Sequence, residues 1–308
     1  MPSFFTNCCV WLGAVLSLPT AQASEAQPQA AAGHLERLAI HSEWVQERPV
    51  DVWLPDGYAE RAKAGHRYQV LYMHDGQMLF DAATTWNKQA WHVDTALDRL
   101  MKAGQVDETI VVAVWNNGKY RAAEYYPQKF LAYLPEAQRA RYESQALEGR
   151  AQADDYLRFL VEELKPAIDK RYATRPEAAS TFIMGSSMGG LISVYAYAEY
   201  PKVFGGAAAL STHWVGIHEA NARFPLAAFD YLSRSLSPPQ GRRLYMDRGT
   251  ATLDALYGPA QTMIDQIVRD AGYSEDSFLT RVFEGAEHTE NAWSARLEVP
   301  LRFLLHRQ

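Results

Sequence analysis

A serine hydroxyl becomes a useful nucleophile only when the chain holds it clear of its own strand or helix and a base stands beside it. The stretch Gly185-Ser186-Ser187-Met188-Gly189 has the residue types for the first task. Glycines two positions before and two after Ser187 remove side chains that would collide in a sharp strand-to-helix turn. Such a turn lifts Ser187 Oγ away from the backbone and aims the free N–H groups of the following helix, with their partial positive charge, at an oxyanion formed there. The five-residue pattern alone arises by chance in about 6% of chains of this length, so its placement carries the weight. An apolar run, Thr181-Phe182-Ile183-Met184, precedes it, and a second, Leu191 to Ala198, follows. The competing reading is a glycine turn of purely structural use.

The hydroxyl also demands a base, and on an elbow of this kind the partners follow in the chain order acid, then histidine. Of nine histidines, only His213, His218, His288 and His306 come after Ser187. His213 and His218 leave no room for an acid-bearing strand, and His306 ends the chain. His288 lies in Glu284-Gly285-Ala286-Glu287-His288-Thr289-Glu290, directly after an apolar strand. Two carboxylates fit the acid position: Asp247 continues a strand, whereas Asp254 ends a loop with the reach an orienting acid needs, or else caps a helix. Asp254 is favoured and Asp247 is the alternative. The N–H of Met188 and that of Gln77, in the loop His74-Asp75-Gly76-Gln77-Met78, are the expected oxyanion donors, with Gly76 allowing the backbone to turn. No His-Glu-x-x-His, cysteine pair, acidic calcium loop, phosphate loop or dinucleotide fingerprint occurs, so neither metal nor cofactor is expected.

These groups need a frame. Apolar runs at 68–73, 109–115, 180–184 and 203–210 predict buried parallel strands, with further strands at 34–41, 49–54, 243–246 and 278–283. Helical spacing appears at 91–103, 154–171, 191–198, 256–271 and 291–305. Strands alternating with helices predict a single α/β domain, with a mostly parallel central sheet and helices on both faces. Residues 127–150, polar and without a strong apolar face, read as an insertion that could serve as a lid.

The chain has 308 residues, a formal charge of -6 and a pI near 5.9, a poor field for nucleic acid or anionic lipid. Its two cysteines, Cys8 and Cys9, cannot staple a domain. They open an apolar run at 8–18, short of the roughly 18 residues a membrane-spanning helix needs. Pro19 breaks that run, and Ala21-Gln22-Ala23 follows. This predicts a signal peptide over 1–23, a linker over 24–33 and a domain over 34–308, hence a periplasmic or secreted protein without stable membrane insertion. Removal of 1–23 would leave a chain with no thiol.

With these residues in hand, the chain resembles the esterase family of α/β-hydrolases that includes feruloyl esterases, S-formylglutathione hydrolase, siderophore esterases and mycolyltransferases. The likeness rests on Leu71-Tyr72-Met73-His74-Asp75-Gly76-Gln77, Gly185 to Leu191, Gly249-Thr250 leading to Asp254, and Gly285-Ala286-Glu287-His288. It implies Ser187, Asp254 and His288 as nucleophile, acid and base. It also implies a substrate-side loop at Trp115-Asn116-Asn117 and Arg121 to Tyr125, where Arg121 and Glu124 could equally form a local ion pair. Many relatives place the acid nearer the Gly-Thr pair, where this chain has Ala251. A small-molecule ester is the expected substrate, a siderophore lactone, a feruloyl ester or another acyl ester. Hydrolysis, acyl transfer through the same triad and a non-catalytic binding role all remain open, as does the oligomeric state.

Overall fold

Runs of Val, Ile, Leu and Ala without polar alternation need cover on both faces, and they form the middle of an eight-stranded sheet. In chain order the strands are β1 His34–Leu38, β2 Val50–Leu54, β3 Gln69–Met73, β4 Thr109–Val114, β5 Thr181–Ser186, β6 Gly206–Leu210, β7 Arg243–Gly249 and β8 Phe278–Phe283. Their spatial order is β1-β2-β4-β3-β5-β6-β7-β8. The β1-β2 and β2-β4 pairs are antiparallel and all others parallel. The structure, a computed structural model, describes residues 26–306; the expected signal peptide and both cysteines lie outside the described residues.

Alternate residues of the central strands enter two cores. Val70, Tyr72, Ile110, Val112 and Ile183 face one, which the helices Met188–Glu199, Arg223–Ser235 and Gly258–Asp270 cover. Leu71, Met73, Val111, Phe182, Met184 and Tyr245 face the other, beneath Val93–Lys102 and Glu298–Leu305. Helices therefore lie on both faces of the sheet, as the strand and helix alternation requires. Residues Gly189 through Ala198 are all buried, so the helix after Ser187 is apolar all round and locked in place, each large side chain contributing about 1.5–3 kcal/mol.

Three elements differ from their sequence reading. Strand β7 runs on to Gly249, which brings Asp247 inside the sheet. The helical stretch from Ala153 to Arg171 contains a wider turn at Phe159–Leu164, just before Pro166, whose ring removes one N–H and crowds the carbonyl four residues back. The closing helix is two, Glu290–Arg296 and Glu298–Leu305, with Pro300 in the first turn of the second, where no N–H is needed. Residues 127–150 hold a 3-10 turn, Gln128–Tyr133, and a helix, Glu136–Ala146, that buries only Tyr142. The stretch read as linker packs onto the domain: Ala31 and Ala32 N–H donate to Asp94 at 2.6 and 3.2 Å.

Candidate active site

Parallel strands place all their C-terminal ends on one edge of the sheet, and a crevice at that edge is where sites in such folds assemble. His74 to Gln77 follow β3, Ser187 follows β5, Ser211 follows β6, Asp254 lies in the loop after β7, and His288 follows β8. Ser187 has φ 56° and ψ -121°, a strained backbone costing about 1–3 kcal/mol. Four hydrogen bonds hold it. Its N–H donates to Leu210 O at 2.9 Å, and its carbonyl accepts from Gly190, Leu191 and His213 N–H at 3.1, 3.2 and 3.2 Å. A Cβ on Gly185 would stand 2.7 Å from the Gly189 backbone, the collision its glycine avoids.

His288 donates Nδ1–H to Asp254 Oδ1 at 2.6 Å, and its own backbone N–H donates to Thr252 Oγ1 at 2.8 Å. Asp254 sits in the 3-10 turn Thr252–Leu256 with its side chain fully buried. Its Oδ2 accepts from Gly249 N–H and Ser211 Oγ–H, both at 2.5 Å. Burial pushes this carboxyl up, but the bonds from His288, Ser211 and Gly249 outweigh it and hold it below the usual carboxylate range.

Asp247 is elsewhere. It shares a face of β7 with Tyr245, away from His288, where Arg296 binds both its oxygens at 2.9 and 3.1 Å and Tyr245 OH donates at 2.8 Å. Burial raises its pKa despite Arg296. Of the two candidate acids, Asp254 alone is hydrogen-bonded to His288. The carboxylates are nevertheless linked: Arg296 Nη2 and Trp293 Nε1 donate to Ser211 Oγ at 2.8 and 2.9 Å, and Ser211 passes its own proton toward Asp254.

On the opposite side, Gly76–Met78 form a single 3-10 turn after β3. Asp75, not Gly76, takes the left-handed backbone, at φ 55°. Gly76 is needed for space, since a Cβ there would lie 2.6 Å from the Ala113 carbonyl carbon. The N–H groups of Gln77 and Met188 have no backbone partner among the described residues. Asp75 accepts from Arg121 Nε and Nη2 at 2.7 and 2.8 Å and from Asn116 Nδ2 at 2.7 Å. Burial pushes its carboxyl up, and Arg121 brings it below the usual range. Asp75 Oδ2 lies 3.3 Å from where a Gly189 Cβ would be, so this clasp borders the elbow.

Arg121 therefore pairs with Asp75 and not with Glu124, which is buried in a bidentate bond from Arg48 at 2.5 and 2.6 Å. Trp115 is a buried support: its Nε1 donates to Asp51 at 2.8 Å and Arg37 lies over its ring. Trp91, Tyr125, Tyr126 and Trp214 are likewise core residues, and Trp86 is 84% exposed.

Sequence reasoning missed several neighbours. Buried Tyr257 touches the Ser187 side chain with its hydroxyl and reaches His213 Nδ1 at 2.7 Å. The Ser187 hydroxyl is not hydrogen-bonded to His288 here, and such bonds often tighten only when substrate is bound. Burial lowers both His213 and His74 to about 3, so both rings are neutral at ordinary pH. Among the described residues, no group of three or more His, Cys, Asp and Glu side chains is arranged to hold a metal, and no helix is long and apolar enough to cross a membrane.

The family model described as Putative esterase matches residues 42–304. The endo-1,4-beta-xylanase/feruloyl esterase of Xylanibacter ruminicola is 25% identical over 178 residues, 56% of this chain and 21% of that protein, so the chain spans about a fifth of its length. Among solved structures, the enterobactin esterase of Shigella flexneri with enterobactin matches at TM-score 0.66 and 17% identity, over 90% of this chain and 60% of that one. A CE1 ferulic acid esterase from Anaeromyces mucronatus, in complex with ferulic acid, matches at TM-score 0.62 and 18% identity, over 90% and 92% of the two chains. At these identities the structural likeness is one of fold, a single α/β-hydrolase domain.

Proposed function

The chain belongs to the Putative esterase family, and from that premise we propose that it is a serine carboxylic-ester hydrolase with Ser187, His288 and Asp254 as its triad. The observation that carries the reading is the 2.6 Å bond from His288 Nδ1 to a buried Asp254, at the sheet edge where Ser187 stands on its strained elbow. Asp254 fixes the imidazole with its proton on Nδ1, which leaves Nε2 free to take the Ser187 proton as Oγ attacks the ester carbonyl. The N–H groups of Met188 and Gln77 receive the oxyanion. His288 then protonates the departing alkoxide, and water, deprotonated by the same ring, cleaves the acyl-enzyme.

The substrate is a small-molecule ester. In this reading Asn116 and Arg121, held by Asp75 beside Gly189, form its near wall, with Trp115 supporting them from the core, and residues 127–150 cover one end of the crevice as a lid. Siderophore lactones, feruloyl esters and simple acyl esters are the classes to screen. The apolar stretch at 8–18 and the Ala21-Gln22-Ala23 site support a periplasmic or secreted location. Ser187→Ala is expected to lower turnover of a p-nitrophenyl ester by at least about 10³-fold. Retention of activity by the folded variant overturns the assignment.

A further inference from the structure

We propose that Tyr257 is a further catalytic residue: its hydroxyl, oriented by His213, donates a hydrogen bond to Ser187 Oγ as charge builds on that oxygen. The proposal rests on Ser187 being the nucleophile. Tyr257 follows the 3-10 turn that carries Asp254, and its side chain is fully buried. Its ring lies between two histidines, 5.8 Å from the rings of both His213 and His288. Its hydroxyl meets His213 Nδ1 at 2.7 Å and the Ser187 side chain, while the His213 backbone N–H donates to the Ser187 carbonyl at 3.2 Å. The Tyr257 hydroxyl thus borders the nucleophile, and the His213 backbone is bonded to it.

The chemistry sets the direction of the bond. In the resting state Ser187 Oγ carries a proton and can donate or accept. Once His288 Nε2 has taken that proton, Oγ has only lone pairs to offer, so the contact survives only with Tyr257 as donor. The tyrosine oxygen then accepts Nδ1–H from His213, which a neutral imidazole supplies in one of its two tautomers. Burial favours this arrangement at both groups, keeping the phenol protonated and the imidazole uncharged. When the acyl-enzyme breaks down, the electron pair of the carbonyl carbon–Oγ bond returns to Oγ, the proton returns from His288, and the same bond is again strongest at the moment of greatest charge. A bond that strengthens in the transition state raises kcat and leaves KM alone.

Tyr257→Phe removes one oxygen and little volume. In the full chain assayed with p-nitrophenyl acetate, kcat is expected to fall about 10–100-fold with KM within about twofold, since single donors to developing charge have effects of that order or larger. The rate of labelling by a fluorophosphonate should fall by a similar factor, and the thermal unfolding midpoint should drop by only a few degrees, the cost of leaving His213 Nδ1 without its partner, so that the variant stays folded in the assay. His213→Gln, which keeps an N–H and a C=O to orient the phenol, should stay within about threefold of wild type, whereas His213→Leu should approach Tyr257→Phe. A folded Tyr257→Phe with kcat and labelling rate within about twofold of wild type, or with its whole loss in KM, overturns the proposal. Should Tyr257→Phe not fold, the two His213 variants decide. Ser187→Ala run alongside separates the two readings: if it keeps activity, the nucleophile assignment falls and this proposal with it.

Discussion

Asp254→Asn is the sharpest probe of the site because it changes one atom at the centre of three hydrogen bonds. In the native protein Oδ1 accepts from His288 Nδ1, and Oδ2 accepts from Gly249 N–H and Ser211 Oγ–H. The amide keeps the shape but has one acceptor and one donor end. Oδ2 faces two donors, so the amide oxygen should take that side and turn its NH2 toward His288. The imidazole then carries its proton on Nε2, the nitrogen that must receive the serine proton, and it is held in the wrong tautomer. Loss of an orienting acid in this manner lowers kcat by about 10³–10⁴-fold, which corresponds to about 4–5 kcal/mol in the barrier. Asp247→Asn is the matched control. It leaves the Arg296 guanidinium, whose side chain is 3% exposed, without its full counter-charge, and loss of one partner from a buried pair costs about 3–5 kcal/mol of stability. Activity per folded molecule should nevertheless stay within about tenfold. Turnover of a p-nitrophenyl ester and thermal unfolding, measured on both variants, separate the two effects. The reasoning fails if Asp254→Asn keeps a tenth or more of wild-type kcat, or if folded Asp247→Asn loses as much as Asp254→Asn.

Three further outcomes follow from the same contacts. Ser211→Ala removes the shared partner of Asp254, Trp293 and Arg296 and should destabilise the protein by about 1–3 kcal/mol, read by denaturant unfolding, with kcat falling about tenfold. Gly185→Ala drives a methyl to 2.7 Å from the Gly189 backbone, and the soluble, active fraction on expression should drop sharply relative to the matched Gly258→Ala, whose methyl would meet only the Arg248 side chain, at 3.4 Å. Acid sensitivity should begin well above the carboxylate range. His74 and His213 have folded pKa values of about 3 against an ordinary 6.5, so between these values the unfolded chain binds protons that the folded one refuses. Stability therefore falls as pH drops below 6.5, by about 1.4 kcal/mol per pH unit for each ring. Unfolding free energy measured from pH 7 to 4 should show this slope, and His213→Gln should remove about half of it. Asp75 and Asp254, both held below 3.8, add stability that is complete above that value and lost only on further acidification.

What could be read from the chain was whatever depends on local pattern. The apolar runs marked the central strands, the glycines marked the elbow, and chain order reduced nine histidines to one candidate that the structure brings against a buried aspartate. Loop reach favoured Asp254 over Asp247, but the feature that separates the two was not legible, because it lies in where β7 ends. With β7 running to Gly249, the alternation of side chains sends Asp247 to the Tyr245 face and into the grip of Arg296, and no periodicity at 243–246 foretells that extension. Tyr257, Ser211, Trp293 and Arg296 were invisible for a related reason. Each acts across a tertiary contact, and isolated Tyr, Ser, Trp and Arg residues carry no spacing rule. The Arg121 and Glu124 pair illustrates the converse: adjacency on one short helix suggested a local bond, and each side chain instead found a better partner far away in sequence, in Asp75 and Arg48.

The sheet order has a kinetic consequence. Strands β3 and β5, which lead to Gln77 and Met188, are neighbours, yet Met73 pairs with Met184 more than a hundred positions later. Closing so long a loop is slow, and pairings of this range form only after much of the chain is already organised. The crevice is therefore among the last features a refolding molecule acquires. Recovery of esterase turnover after dilution from denaturant should lag the return of helical circular dichroism, and turnover reports the joining of the two halves of the sheet rather than the formation of either one.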